Sequence, residues 1–362
     1  MQNQKGTSRR GVLAGIGGAP LMVAGAVGVA QAQPRGGTGG GRGGANQETF
    51  RPLAAPSPAP STPPLALVSR HVQWTSVEEG AEVAKAAGFD AIAWTVRPGA
   101  HIEPADVEKG LPAAVAAGKK LGLSTPMVIT AIGDIGAPRI EAILGTMQAL
   151  GIQRYRAAAP RYVYDADFAQ QYDVFRGKLE ALAKLNERFG TTAMFHTHSY
   201  ANTIGGSGWD LWMAMKDIDP RFMGINYDIG HTTAKGGAGW MDSSRAARRH
   251  IKALSVKDFL WRKRTDVSAD TWPWQTEFLP PGTGMVNFID FFKTMYGFGF
   301  DGPIETYFEY KVPVLGSDKM MDMLGTNFGQ WKLEIPKDVF AGYLKRDVDF
   351  YRARLKQAGY ST

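Results

Sequence analysis

The 362-residue chain contains no cysteine. That excludes disulfide bridges, thiolate-held metal centres and a cysteine nucleophile. It leaves the compartment open, because an exported protein can do without thiols. An excess of one charge is also lacking. The formal net charge is +7, and Lys5, Arg9 and Arg10 supply three of those charges before any acid occurs, leaving +4 from residue 11 onward. The basic residues form no single stripe, so nucleic acid is not an expected partner. The first βα turn carries no G-x-G-x-x-G element, which weighs against a dinucleotide-binding fold. There is no convincing membrane span either, since the weakly apolar stretch Gly15–Ala30 is short and rich in glycine.

The first segment that carries information is Ser8-Arg-Arg-Gly-Val-Leu-Ala14, followed by that stretch and by the small-x-small sequence Ala30-Gln-Ala32. Residues 1–32 therefore read as a twin-arginine export signal, with Ala14 where a lysine is usual, and the protein is expected to be periplasmic or otherwise exported. Residues 33–64 are Gly/Arg-rich and then Pro/Ala/Ser-rich. Such a composition buries no core and predicts a disordered linker. The folded domain is expected over residues 65–362, and a hydrophobic content of 44% suits it.

From Leu65 the pattern alternates between short apolar runs and amphipathic stretches closed by glycine. Strands are predicted at Leu65–Trp74, Ala91–Val96, Pro126–Ile132, Tyr155–Ala159, Ala193–His198, Met223–Asp228, Ile251–Phe259 and Pro303–Tyr310, with helices between them. Eight such units in an α/β chain predict a (β/α)8 TIM barrel, whose chemistry sits at the C-terminal ends of the strands.

Those ends carry polar residues. In Asn226-Tyr-Asp-Ile-Gly-His231, Asp228 and His231 flank Gly230, which has no Cβ and tolerates a sharp, positive-φ bend. An aspartate there can ligate a cation or cap a helix, and a nearby histidine can ligate or move protons. In Phe195-His-Thr-His198, alternation sets His196 and His198 on one side. Arg97 and His101 follow the second strand, as binding groups or as an ordinary surface loop. Ser255 and Lys257 share one side of the seventh strand, and Lys257 needs an anionic or hydroxyl partner. Glu305, Tyr307 and Glu309 share a side of the eighth, and Glu309 lies nearer its C-terminal end. Trp261, Trp272 and Trp274 fall in the loop beyond strand seven, where they would stack on a sugar or pack on the rim. Together, His196, His198, Asp228, His231 and Glu309 form an imidazole/carboxylate set suited to Mn²⁺, Zn²⁺, Co²⁺ or Fe²⁺.

Several blocks in order carry a resemblance: Thr95-Val-Arg-Pro-Gly-Ala-His101, Pro126-Met-Val-Ile-Thr-Ala-Ile132, Phe195-His-Thr-His-Ser199, Tyr227-Asp-Ile-Gly-His231, Val256-Lys-Asp-Phe-Leu-Trp261, Pro281-Gly-Thr-Gly-Met-Val286, and Gly302-Pro-Ile with Glu309-Tyr310. Over Leu65 to Tyr310 the chain resembles the xylose isomerase-like TIM barrels, the sugar phosphate isomerase/epimerase family, in an exported branch. The resemblance implies a divalent metal held by Glu, Asp, His and Glu at the ends of strands five to eight, with a further histidine facing substrate. Carried over, the first Glu falls on His196, the Asp on Asp228 and the substrate-facing histidine on His231. The strand-seven histidine falls on Ser255, a poor ligand, and the last Glu on or near Tyr307, with Glu309 the closest carboxylate.

On this reading His196, Asp228 and Glu309 hold metal, and His231, His198 and Lys257 serve catalysis. Arg97, His101, Trp261 and Trp274 bind a small-molecule sugar or glycoside. The expected activity is metal-assisted isomerisation or epimerisation by proton transfer beside a carbonyl. A lyase acting on 3-keto-glycosides and a non-catalytic sugar-binding barrel are the alternatives. Export, mild charge and too few ligands argue against a DNA-repair endonuclease. Self-association stays open.

Overall fold

The computed structural model describes residues 55–361, apart from Ala159, Ala269 and residues 324–330. The export-signal reading, and the linker reading as far as residue 54, lie outside the described residues. The chain from Leu65 alternates strand and helix. Strands β1 (Leu65–Val68), β2 (Ala91–Val96), β3 (Met127–Thr130), β4 (Arg154–Arg156), β5 (Thr192–His196), β6 (Met223–Asp228) and β7 (Ile251–Val256) are followed by a hairpin of β8 (Asp258–Lys263) and β9 (Trp274–Leu279), and then by β10 (Ile304–Thr306). The eight strands β1 to β7 and β10 close a parallel barrel in the order β1-β10-β7-β6-β5-β4-β3-β2.

Residue size explains the closure. Alternate residues turn inward, and the interior layer collects Ala66, Val68, Ala91, Ala93, Met127, Ile129, Met194 and Ala253 with Tyr307. Small side chains let the strands close, while flexible methionines and one tyrosine fill the remaining space. The outward set, including Leu65, Leu67, Ile92, Trp94 and Val128, packs beneath the helices. Helix ends follow local signals. Asp167 caps α4 (Phe168–Phe189) by accepting the Gln170 N–H at 2.6 Å, and Gly190, at φ 63°, ends it. No helix of the described residues is long and apolar enough to cross a membrane.

The first expected strand, Leu65–Trp74, ends at Val68, the eighth, Pro303–Tyr310, ends at Thr306, and two further junctions near the barrel mouth also differ from the sequence reading. Strand β6 runs straight into helix α6 (Ile229–Gly236) rather than into a loop, and Gly230 lies inside that helix and has no positive φ. Its lack of a side chain matters for space: a Cβ would lie 2.6 Å from Lys257 Cγ and 2.8 Å from the Lys257 carbonyl oxygen. The expected strand Ile251–Phe259 stops at Val256, and the chain turns out into the hairpin. Asp258 causes the turn, because its carboxylate accepts the N–H groups of Phe259 (2.9 Å), Gly282 (2.9 Å), Gly284 (2.9 Å) and Val286 (3.1 Å). The Gly282-x-Gly284 turn, which alone reads as a weak phosphate cradle, is thus filled by the protein's own carboxylate.

Candidate active site

The C-terminal ends of the barrel strands surround a cavity of about 380 Å³. Asp228, at the end of β6, lies beneath it and is fully buried. Its Oδ1 accepts the His231 N–H at 2.8 Å and so caps α6. Its Oδ2 has no hydrogen-bond partner, lying 3.3 Å from His196 Nε2, which is likewise unpartnered, and 3.9 Å from His231 Nε2. Cap and inward-facing carboxylate are therefore two ends of one side chain. Burial pushes its acid up to about 6, against the pull of Lys257.

Lys257 projects beside this group. Its Nζ donates to His231 Nε2 at 3.0 Å and to Glu309 Oε2 at 2.8 Å, lies 3.3 Å from Asp228 Oδ2, and sits 4.3 Å from the centre of the Tyr307 ring. His231 must then carry its hydrogen on Nδ1, which meets Ser199 Oγ at 2.8 Å. Burial first, and then Lys257, holds His231 far below the ordinary imidazole range. His198 stacks on it with ring centres 4.0 Å apart, and burial with Lys257 lowers it to about 3. Both rings are neutral at neutral pH. His198 differs in that, among the described residues, its one ring hydrogen bond is accepted by Nδ1 from the Tyr200 N–H at 3.4 Å, and its ring lines the cavity.

The other strand ends complete the wall. Glu309 pairs with both Lys257 and Arg70, and these cations outweigh the effect of burial and hold it well below the ordinary carboxylate range. Deeper in the barrel, the Ser255 hydroxyl sits between Asn226 Oδ1 (2.7 Å) and Glu305 Oε2 (2.9 Å). Asn226 also donates to Glu305 at 2.6 Å. Arg156 donates to the Tyr307 hydroxyl and lies 3.8 Å from Glu305.

The donors near enough to share one ion are those of His196, Asp228 and His231, all within 4.8 Å of one another. The structure brings His231 into this set, whereas Glu309 is engaged by two cations. The orphaned His196 Nε2 and Asp228 Oδ2, 3.3 Å apart, suit neighbouring ligands of a divalent ion in kind and spacing. The third donor, His231 Nε2, is the one that accepts from Lys257.

Arg97 lines the cavity, and its Nε donates to the Thr130 carbonyl at 2.8 Å. His101 stands apart, with Nε2 3.1 Å from the Thr75 carbonyl and its ring against the edge of Trp94. Trp261 and Trp274 lie on the β8–β9 hairpin, partly exposed and outside the cavity lining. The sequence reading missed Arg70, Arg156, Arg161 and the wall position of Tyr307. The parity of Arg154-Tyr-Arg156, on a strand flanking the histidine pair, was the signal available for Arg156.

A (β/α)8 barrel with its imidazoles, carboxylates and lysine gathered at the C-terminal mouth defines the class. The chain belongs to the xylose isomerase-like TIM barrel family, whose model matches residues 81–324. No curated protein sequence matches it. Among solved structures it is similar in fold to a D-psicose 3-epimerase from Clostridium cellulolyticum H10, at 14% identity and TM-score 0.58, covering 81% of this chain and 99% of that one. It is also similar to a 3-keto-D-glucoside 4-epimerase from E. coli, at 14% identity and TM-score 0.56, covering 81% and 100%. A probable 3-DHS dehydratase from Bacillus anthracis follows at 16% identity and TM-score 0.53, covering 68% and 92%.

Proposed function

We propose that this chain is an exported carbohydrate isomerase or epimerase that moves a proton on the carbon beside a sugar carbonyl. The observation that carries the reading is His198, a neutral imidazole lining a cavity walled by Lys257 and arginines. A neutral ring can take the proton; the electron pair of the broken C–H bond moves onto the carbonyl oxygen. Lys257 stands where that oxygen's growing negative charge finds a donor. Return of the proton to the other face of the same carbon gives epimerisation, and to the neighbouring carbon isomerisation. His231, locked between Ser199 and Lys257, orients the lysine. His196 and Asp228, with His231 once the Lys257 ammonium has moved off its Nε2, would hold a divalent ion, and such an ion polarises a bound carbonyl or hydroxyl oxygen. The sugar epimerases of the same fold support this class of chemistry.

The test is NMR in D₂O over a panel of ketoses, sugar acids and 3-keto-glycosides. A C–H proton that exchanges or migrates, and ceases to do so in His198→Ala, supports the reading. Exchange with loss of the glycosidic substituent makes the protein a lyase. Binding without exchange across the panel refutes catalysis and leaves a sugar-binding barrel. Export rests on residues 1–32: a reporter fused behind them should leave the cytoplasm through the twin-arginine route and stay inside after Arg9→Lys with Arg10→Lys. Translocation undiminished by that pair of changes overturns it.

A further inference from the structure

We infer that the ligand of this cavity is an anionic sugar, with its carboxylate or phosphate held by Arg97 between Arg70 and Arg156. The inference rests on the reading of the cavity as a sugar site and deepens it. It starts from charge. Arg70, Arg97, Arg156, Arg161 and Lys257 line the cavity, against Glu309 in the wall and Asp228 and Glu305 beneath it. Five cations against three carboxylates leave a surplus of two before any histidine is counted.

The partners are also unevenly shared. Glu309 is taken by Arg70 and Lys257, and Glu305 receives Asn226 with Arg156 alongside at 3.8 Å. Arg97 has no carboxylate partner among the described residues; its one hydrogen bond runs from Nε to the Thr130 carbonyl. Arg97 also lines a second, smaller pocket of about 50 Å³, together with Arg70 and Arg156. The buried Nε atoms of Arg70 and Arg156 lack partners too. Burial, together with the repulsion of Arg156 and Arg70, lowers Arg97 to about 9.

A largely buried guanidinium without an anion, as at Arg97, is costly, and its planar fork of N–H donors matches a carboxylate or phosphate. Of the two sources, a carboxylate suits an exported protein better. The glycine turn that could have cradled phosphate is filled by Asp258.

The experiment is calorimetric titration of the whole protein with D-galacturonate, D-glucuronate and D-glucose 6-phosphate, each against D-galactose or D-glucose at equal ionic strength. We expect at least one anion to bind at least about tenfold tighter than its neutral parent, the worth of one or two charge-assisted hydrogen bonds. A preference for the uronates identifies a carboxylate, and one for the ester identifies a phosphate. The preference should vanish in Arg97→Gln and shrink in Arg97→Lys, which keeps the charge without the fork and covers a failure of the first variant to fold. Neutral sugars binding as tightly as every anion, or an anion preference that survives both variants, overturns the inference. Anion binding without proton exchange would leave it standing while refuting catalysis.

Discussion

Replacing Lys257 by methionine keeps most of the side-chain volume and removes one charge from the centre of the site. The ammonium is 3% exposed, so solvent does little to screen it, and it lies 2.8 Å from Glu309, 3.3 Å from Asp228 and 3.0 Å from His231. Removing one partner of a buried charge pair costs about 3–5 kcal/mol. Glu309 keeps Arg70, so the loss falls at about 3 kcal/mol, most of it from Asp228 left without a cation. The same change frees His231 Nε2 and clears the space beside Asp228 Oδ2. All three donors within 4.8 Å of one another then stand open to an ion. Urea unfolding in EDTA should show the loss. Zinc at a hundred times its dissociation constant should restore about 2.7 kcal/mol. In the unaltered protein zinc must first displace the ammonium, so the same zinc concentration should stabilise it less, with a lower zinc content by elemental analysis. A variant within about 1 kcal/mol of the parent in EDTA, or equal stabilisation of both by zinc, would refute the reasoning.

Gly230→Ala puts a methyl group 2.6 Å from Lys257 Cγ. Overpacking of this kind costs about 1–3 kcal/mol, and displacing Lys257 should lower turnover as well; unchanged melting and unchanged activity would show that the two segments are not in close contact. Asp347 accepts the Tyr310 hydroxyl at 2.6 Å, and burial raises its acid to about 6. A raised acid favours the fold at low pH, so its contribution is complete below about pH 4 and lost as pH rises through about 6, on the order of 3 kcal/mol. The stability difference between the parent and Asp347→Asn should therefore change across that window, and a flat difference would count against the shift.

Strand β6 occupies the span expected of it because the apolar, β-prone residues Met223, Ile225 and Tyr227 recur at every second position. The histidine pair and Asp228 were legible for a related reason: polar residues closing such a run have few places to go but the mouth. Arg70 and Arg156 were not. An arginine beside a short strand reads as a solvent-facing residue; the parity of Arg154-Tyr-Arg156 points Arg156 to one side, but only closure of the barrel makes that side a cavity. The break after Val256 was hidden because its cause is distant in sequence: the N–H groups of Gly282, Gly284 and Val286 meet the Asp258 carboxylate from the far side of the hairpin. Gly230 was rightly marked as special, but for its backbone angle, whereas the need is room for Lys257, which again no local pattern expresses.

The capture of those N–H groups by Asp258 bears on how this barrel can change over time. Residues 259 to 282 leave and return through one carboxylate, so the hairpin between them is a closed loop on a fixed neck. Extra length or a new sequence inside such a loop adds only slowly to its closure entropy. Lys257, directly before the neck, keeps its place as long as the hairpin keeps Phe278, whose ring centre lies 5.1 Å from the ammonium. The rim carrying Trp261 and Trp274 is thus free to drift toward new ligands, while the lysine, the histidines and Asp228 beneath it stay as they are.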